Sequence, residues 1–130
     1  MREVSRCRLL CATLVALSSA CGAPYYQGQA SGELATRLYF KNESLDQAAI
    51  YAGQPGLRPI RIGTVMAGRT EVIVVPTGLL GGSGQINVFA RPLGRDTGPD
   101  TGPLLLNPGD ALTIRLPMDQ RSLIVLPPGS

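Results

Sequence analysis

The feature that most constrains the fold is a series of short β-prone runs, cut by glycine, proline, asparagine and aspartate from residue 36 onward. Apolar and polar side chains alternate in several runs, as in a strand with one buried and one solvated face. In one of them Leu112, Ile114 and Leu116 alternate with Thr113 and Arg115. The pattern predicts strands over residues 36–41, 48–52, 59–66, 70–75, 85–91, 103–106, 111–116 and 122–126.

Short strands without a convincing helical period predict the fold class. We expect an all-β protein, an antiparallel two-sheet β-sandwich of the immunoglobulin or transthyretin kind, with about seven or eight strands. The run 72–75 lacks alternation, which favours a central strand with Val72 and Val74 in the interior. On the inner faces of neighbouring strands we expect Ile86, Val88, Leu112 and Ile114.

The segments between the runs carry turn signals. The Asn-Pro-Gly-Asp turn places Gly109 where a type II turn requires a positive φ. Residues 42–49 offer at most one helical turn, with Asn42 or Ser44 as its cap. The glycine-rich segment 78–85 predicts a loose hairpin connection.

The first 20 residues have the composition of an export signal. Residues 1–8 carry three arginines against one glutamate, and an apolar stretch follows over residues 9–20. A basic start, an apolar stretch of about 7–15 residues and small residues before the cut are typical of signal peptides. The stretch is shorter than the roughly 20 apolar residues of a transmembrane helix. We therefore expect residues 1–20 to direct export and to be removed.

The end of this segment, LSSACG at residues 17–22, resembles the lipobox of bacterial lipoproteins, although Leu17 lies one place further from the cysteine than is commonest. The resemblance implies that the Cys21 sulfur receives a diacylglyceryl group and that Cys21 becomes the new N-terminus. Two acyl chains give stable anchoring, since each buried CH₂ contributes about 0.8 kcal/mol. Gly22, in place of an aspartate, implies the outer membrane, facing the periplasm, if the organism has two membranes. The alternative is ordinary cleavage after Ala20, with Cys21 incidental.

The charge of the mature chain argues against nucleic-acid binding, and its cysteines argue against a disulfide. Residues 21–130 carry nine arginines or lysines against eight acidic residues. The mature chain is therefore near neutral, and it has no run of basic residues interleaved with aromatic ones that would favour nucleic acid. Cys7 and Cys11 lie in the signal peptide, which leaves no pair for a disulfide afterwards. Small and polar residues over 21–34 predict a flexible tether, and residues 35–130 form the sandwich domain.

Composition also excludes whole classes of chemistry. The chain has no histidine, which excludes Ser-His-Asp and Cys-His catalysis and blue-copper sites.

The repeated Asp-Thr-Gly at Asp96 and Asp100 lacks the apolar strand residues that precede the aspartate in aspartic proteases. We interpret 93–103 as a surface loop, with weak calcium binding as the alternative. Glu43 and Asp46 are solvated turn residues, or else an acid pair of the glycosidase kind. We expect no catalytic, cofactor-binding or metal site.

Four runs together resemble those of small, functionally uncharacterised bacterial lipoproteins: RLYFKNESLDQAAIYA, RPIRIGTVMAGRTEVIVVP, INVFARPLG and LNPGDALTIRL. In that family one sandwich domain follows the lipobox, so the resemblance implies location and fold and no activity. We expect a noncatalytic lipoprotein, anchored through Cys21, that presents its sandwich to an envelope protein or has a structural role in the envelope. The alternative is an envelope lipoprotein that binds a glycan or a small solute, although few aromatic residues are present for stacking on sugars.

Overall fold

The protein is an all-β sandwich, as the sequence predicts. A computed structural model describes residues 34–127. The predicted signal peptide (1–20), Cys21 and the tether as far as residue 33 lie outside the described residues. Within 34–127 the elements are β1 (Arg37–Asn42), β2 (Ala48–Gly53), β3 (Ile60–Val65), β4 (Thr70–Val74), α1 (Thr77–Leu80), β5 (Gln85–Pro92), β6 (Asp100–Leu105), β7 (Ala111–Leu116) and β8 (Ile124–Leu126).

The strands form two four-stranded sheets. Sheet A has the order β4-β1-β7-β8, and sheet B has the order β3-β2-β5-β6. All neighbours are antiparallel except β1 and β7, which run parallel. The predicted fold class is therefore confirmed, with the difference that sheet A is mixed. Alternation could not reveal this, because the same side-chain pattern serves parallel and antiparallel neighbours.

The Asn-Pro-Gly-Asp turn holds the parallel pair at its start. Gly109 has a φ of 90°, as the sequence predicts, and the Asp110 amide donates to the Asn107 carbonyl at 3.1 Å. The Thr36 hydroxyl accepts from the Gly109 amide at 3.1 Å and donates to the Asn107 carbonyl at 3.0 Å. The residue before β1 is therefore tied to the turn before β7, and both strands leave the same end of the sandwich.

Two segments read as loops from the sequence contain regular structure. Strand β6 begins at Asp100 rather than at 103, because a bulge lies at Gly102, whose φ is 67°. The Thr101 hydroxyl accepts from the Val88 amide at 3.1 Å and replaces the interrupted ladder bond. In the connection from β4 to β5, where the sequence predicts a loose hairpin, α1 forms instead and contributes Leu80 to the core. The expected turn of helix after Asn42 is a bend instead.

The core lies between the sheets and is almost wholly aliphatic. Its largest fully buried side chain is Phe40, on β1. Ile86, Val88 and Ile114 are buried, as predicted, and Leu112 is partly buried against the same cluster. The alternating runs therefore gave their inner faces correctly, since period two fixes which side of the pleat each residue takes.

The placement of the valine-rich strand was wrong. Strand β4 is an edge strand of sheet A, and Val72 and Val74 are each 54% exposed on its outer face. Ile73 and Val75 point inward and are buried. Only one face of β4 is thus buried. β-Branched residues also occupy its exposed face because they suit an extended backbone. An unbroken apolar run does not by itself distinguish an edge strand from a central one.

Candidate binding site on an outer sheet face

The solvent-facing side of sheet B brings aromatic and arginine side chains together. Tyr51 on β2 lies opposite Phe89 on β5 and Arg61 on β3. One pleat further along β2, Ala49 lies opposite Arg91 on β5. Tyr51 and Phe89 are half-buried and the two arginines are exposed. The small Ala49 therefore lies between Arg91 on β5 and Thr64 on β3, beside a row of three large side chains.

A bulge in β3 places Arg61 on this face. Ile50 pairs with Gly63, whereas Tyr51 pairs with Arg61, so Ile62 is the extra residue. Ile62 turns toward the interior and packs partly buried against the core. In a regular ladder Ile62 would be opposite Tyr51 and Arg61 would face inward, since successive side chains alternate. Bulges re-aim side chains in this way and are common beside binding sites.

Two adjoining grooves open on this face. The arginine groove has a volume of about 250 Å³ and is lined by Gln47, Ala49, Arg61, Arg91, Pro92, Leu93, Gly94 and Arg95. The aromatic groove has a volume of about 260 Å³ and is lined by Tyr51, Pro59, Phe89, Ala90, Arg91, Asp96, Thr97 and Gly98. Arg91 lines both, so the two grooves form one continuous surface.

The arginines of this face are positioned by neutral groups. The Arg91 guanidinium lies over the Tyr51 ring, 4.8 Å from its centroid, a favourable cation–π geometry. The Arg61 Nη2 donates to the Thr64 hydroxyl. The two ion pairs found within residues 34–127 both belong to Glu43, on the other sheet. No carboxylate of the described residues therefore neutralises Arg61, Arg91 or Arg95 by an ion pair.

The arginine groove lies at the end of the sandwich away from residue 34. Strand β1 starts beside the 107–110 turn and runs to Asn42 at the other end, where the chain crosses to β2. There the Leu93 amide donates to the Gln47 carbonyl at 2.7 Å. A six-residue strand is about 20 Å long. A partner at the arginine groove would thus meet the sandwich at the end opposite its N-terminal connection.

A second polar cluster, on sheet A, is centred on Glu43. One carboxylate oxygen is 2.9 Å from Lys41 Nζ and the other is 2.7 Å from Arg115 Nη2. The hydrogen bond from Arg115, followed by that from Lys41, lowers the pKa of Glu43 from 4.5 to about 2. A general acid needs a raised pKa, so this carboxylate is suited to a structural ion pair. Asp46 accepts separately from Gln120 Nε2 at 2.9 Å.

This ion pair predicts a pH-dependent contribution to stability. Because the folded pKa of Glu43 is depressed, its contribution is fully present above pH 4.5 and is lost as the pH falls toward 2. The side chain is partly exposed, so salt screens the pair and the effect is small. The melting-temperature difference between the wild type and Glu43→Gln should therefore shrink between pH 5 and pH 2. Glu71→Gln is the control for loss of one negative charge, and a constant difference for Glu43→Gln would contradict the prediction.

The aspartates of the repeated Asp-Thr-Gly lie at the aromatic groove and beside it. Asp96 lines the aromatic groove, and Asp100 lies opposite Phe89 at the exposed start of β6. Within residues 34–127, no group of three or more histidine, cysteine, aspartate or glutamate side chains is placed to hold a metal ion. No helix of the same residues has the length and apolarity of a membrane span. Cys21, the predicted lipidation site, lies outside the described residues.

Sequence reasoning singled out Asp96 but missed the other residues of the two grooves. A signal was present, because Tyr51 follows Ala49 and Arg91 follows Phe89 at the spacing of two that shares a strand face. Only the pairing of β2 with β5 shows that the Ala49–Tyr51 face of β2 and the Phe89–Arg91 face of β5 lie on the same side of sheet B. No family model matches this sequence, and no curated protein matches it either. A functional proposal for this β-sandwich therefore rests on its own geometry.

Proposed function

We propose that this protein is a noncatalytic, lipid-anchored module of the bacterial cell envelope, and that its sandwich binds a protein partner through the outer face of sheet B. The anchor is the lipid on Cys21, supported by the lipobox resemblance of residues 17–22. The module is exported and needs no cofactor and no nucleic acid. In an organism with two membranes it would face the periplasm from the outer membrane.

One observation carries the binding role: an open surface with fixed, uncompensated arginines lies at the end of the sandwich opposite residue 34. A tethered domain presents that end most freely to another molecule. Aromatic and arginine residues are enriched at protein interfaces and supply much of their binding energy. The residues that line the two grooves include a single carboxylate, Asp96, and three arginines, which supports recognition of a partner over acid–base catalysis.

A second candidate function, binding of a glycan or small solute, is favoured by the Tyr51–Phe89 pair. The two rings are neighbours across β2 and β5 and line a groove of about 260 Å³, slightly smaller than the roughly 300 Å³ at which small-molecule sites begin. However, the Arg91 guanidinium already covers the Tyr51 ring. A sugar therefore could not stack on that face of the Tyr51 ring, whereas a protein partner could bind the Arg91 guanidinium directly.

Fractionation and crosslinking test the two parts of the proposal together. Wild-type protein should sediment with membranes and should begin at Cys21 with added acyl mass. Cys21→Ser should shift nearly all of the protein to the soluble fraction, because the two acyl chains supply the membrane affinity. A soluble wild-type protein with a free Cys21 thiol would refute the anchor.

The partner surface is tested in the same cells. A photo-crosslinking residue at Leu93, in the arginine groove, should yield a protein adduct. The same residue at Met118, equally exposed but in the turn after β7, is the matched control. Adducts of equal yield at the two positions, or no adduct at Leu93, would contradict binding through sheet B.

A further inference from the structure

Three arginines, Arg61, Arg91 and Arg95, line the arginine groove. Arg91 on β5 lies opposite Ala49, and on the β3 side the Arg61 guanidinium reaches Thr64, the residue opposite Ala49. Arg95 lines the same groove, two residues after Leu93. A single methyl group on Ala49 leaves the floor of the groove open. Like charges that line one groove repel one another, and a bound anion would offset that repulsion.

Two of the three guanidinium groups, those of Arg61 and Arg91, are held before any ligand arrives. Arg91 stacks on Tyr51, and Arg61 donates to Thr64. Preorganisation lowers the entropic cost of binding. Arginine binds carboxylates in a planar, bidentate manner that lysine cannot reproduce. The groove is therefore matched to planar oxyanions more closely than a mobile basic surface would be.

The adjoining aromatic groove limits what else the ligand can carry. Pro59 and Phe89 give it apolar walls, and Asp96 contributes a negative charge. A continuous polyanion that passed from one groove to the other would meet the Asp96 carboxylate. A polypeptide with acidic residues beside an apolar side chain satisfies both grooves, and a single-stranded nucleic acid or a polyphosphate does not.

We propose that Arg61, Arg91 and Arg95 form a carboxylate-binding site for an acidic segment of the protein partner, with an apolar side chain of that segment in the aromatic groove. This inference rests on the proposed function, of which it names the ligand chemistry. The charge of the site is complementary to such a segment, and the two grooves share Arg91. Binding should weaken with added salt, because exposed charges are screened.

Fluorescence anisotropy with the full purified protein tests the site. The probe is a short labelled peptide with two adjacent glutamates beside a leucine, compared with the same peptide carrying glutamines. The glutamate peptide should bind at least about tenfold more tightly, since hydrogen bonds to charged groups are the strong ones. Arg91→Gln and Arg61→Gln should each weaken it about tenfold. Arg121→Gln, an exposed arginine outside both grooves, should leave it unchanged.

Thermal melts of every variant establish that the sandwich is still folded. Equal losses for Arg121→Gln and Arg91→Gln would overturn the site, as would equal binding of the two peptides. An all-glutamate peptide or oligothymidylate that binds as tightly as the probe would show a surface that recognises charge alone, which also overturns the proposal. If the glutamate peptide does not bind but the crosslinker at Leu93 still forms a protein adduct in cells, the acidic ligand is refuted. The proposal that sheet B binds a protein partner is then retained.

Discussion

Phe40→Ala is expected to lower the free energy of unfolding by about 3–5 kcal/mol, as for other buried aromatic residues cut to alanine. Phe40 is fully buried on β1, with β4 on one side and β7 on the other. The remaining aromatic rings of the described residues lie on the outer faces of the sheets. No neighbouring side chain of comparable size can therefore fill the cavity. The loss is a large share of the 5–15 kcal/mol typical of a whole domain.

Tyr39→Ala is the matched control. Tyr39 is the preceding residue of the same strand, also aromatic, but it faces outward and is 38% exposed. Its truncation should cost about 1 kcal/mol or less. Urea denaturation at pH 7 measures both variants, and the slope of the transition reports whether unfolding stays two-state. Equal losses for the two variants would contradict the assignment of β1 faces.

Asn42→Ala is the second change with a large expected effect, about 3 kcal/mol, because it leaves buried polar groups unpaired. The Asn42 amide nitrogen donates to the Asp46 carbonyl at 2.8 Å and to the Val65 carbonyl at 3.1 Å. Its oxygen accepts from the Ser44 amide at 3.0 Å and the Ser44 hydroxyl at 2.7 Å. Asn42 is fully buried, so water cannot replace these bonds without opening the end of the sandwich.

Asn42→Asp separates hydrogen bonding from volume. The aspartate keeps the acceptor toward Ser44, but it would present a carboxylate oxygen to the Asp46 and Val65 carbonyls. It should therefore destabilise the fold at least as much as alanine at pH 7. Asn107→Ala, in an exposed turn, is the control and should shift stability by about 0.5 kcal/mol. A small effect of Asn42→Asp would show that the buried network is dispensable.

This network also bears on the candidate site. The bend that Asn42 closes carries the chain from β1 in sheet A to β2 in sheet B, and it ends at Gln47 in the arginine groove. Asn42 further ties the bend to the last residue of β3. The Asn42 amide side chain therefore helps to hold β2 and β3, which carry Ala49 and Arg61, against sheet A. We expect Asn42→Ala to weaken binding of the glutamate peptide more than Asn107→Ala does.

The sequence by itself determined the strands and most of their inner faces. All eight predicted runs are strands, because apolar alternation and turn residues act over a few residues and need no distant partner. Leu38 and Phe40 on β1, and Ile86 and Val88 on β5, take the buried side that their spacing indicates. Gly109 supplies the positive φ of its turn for the same local reason.

Only the tertiary structure decided which strands are neighbours, and the candidate site depends on that. The valines of β4 are exposed because their side chains take the outer face of sheet A, while Ile73 takes the face toward sheet B, and the unbroken apolar run does not encode which face is covered. Arg61 faces solvent because a bulge shifts its register against Tyr51. Arg61 and Arg91 are 30 positions apart in the chain, and the shared neighbour β2 places them on one face of sheet B, on opposite sides of that strand. Pairing of this kind comes from long-range burial and hydrogen bonding, which no local pattern records.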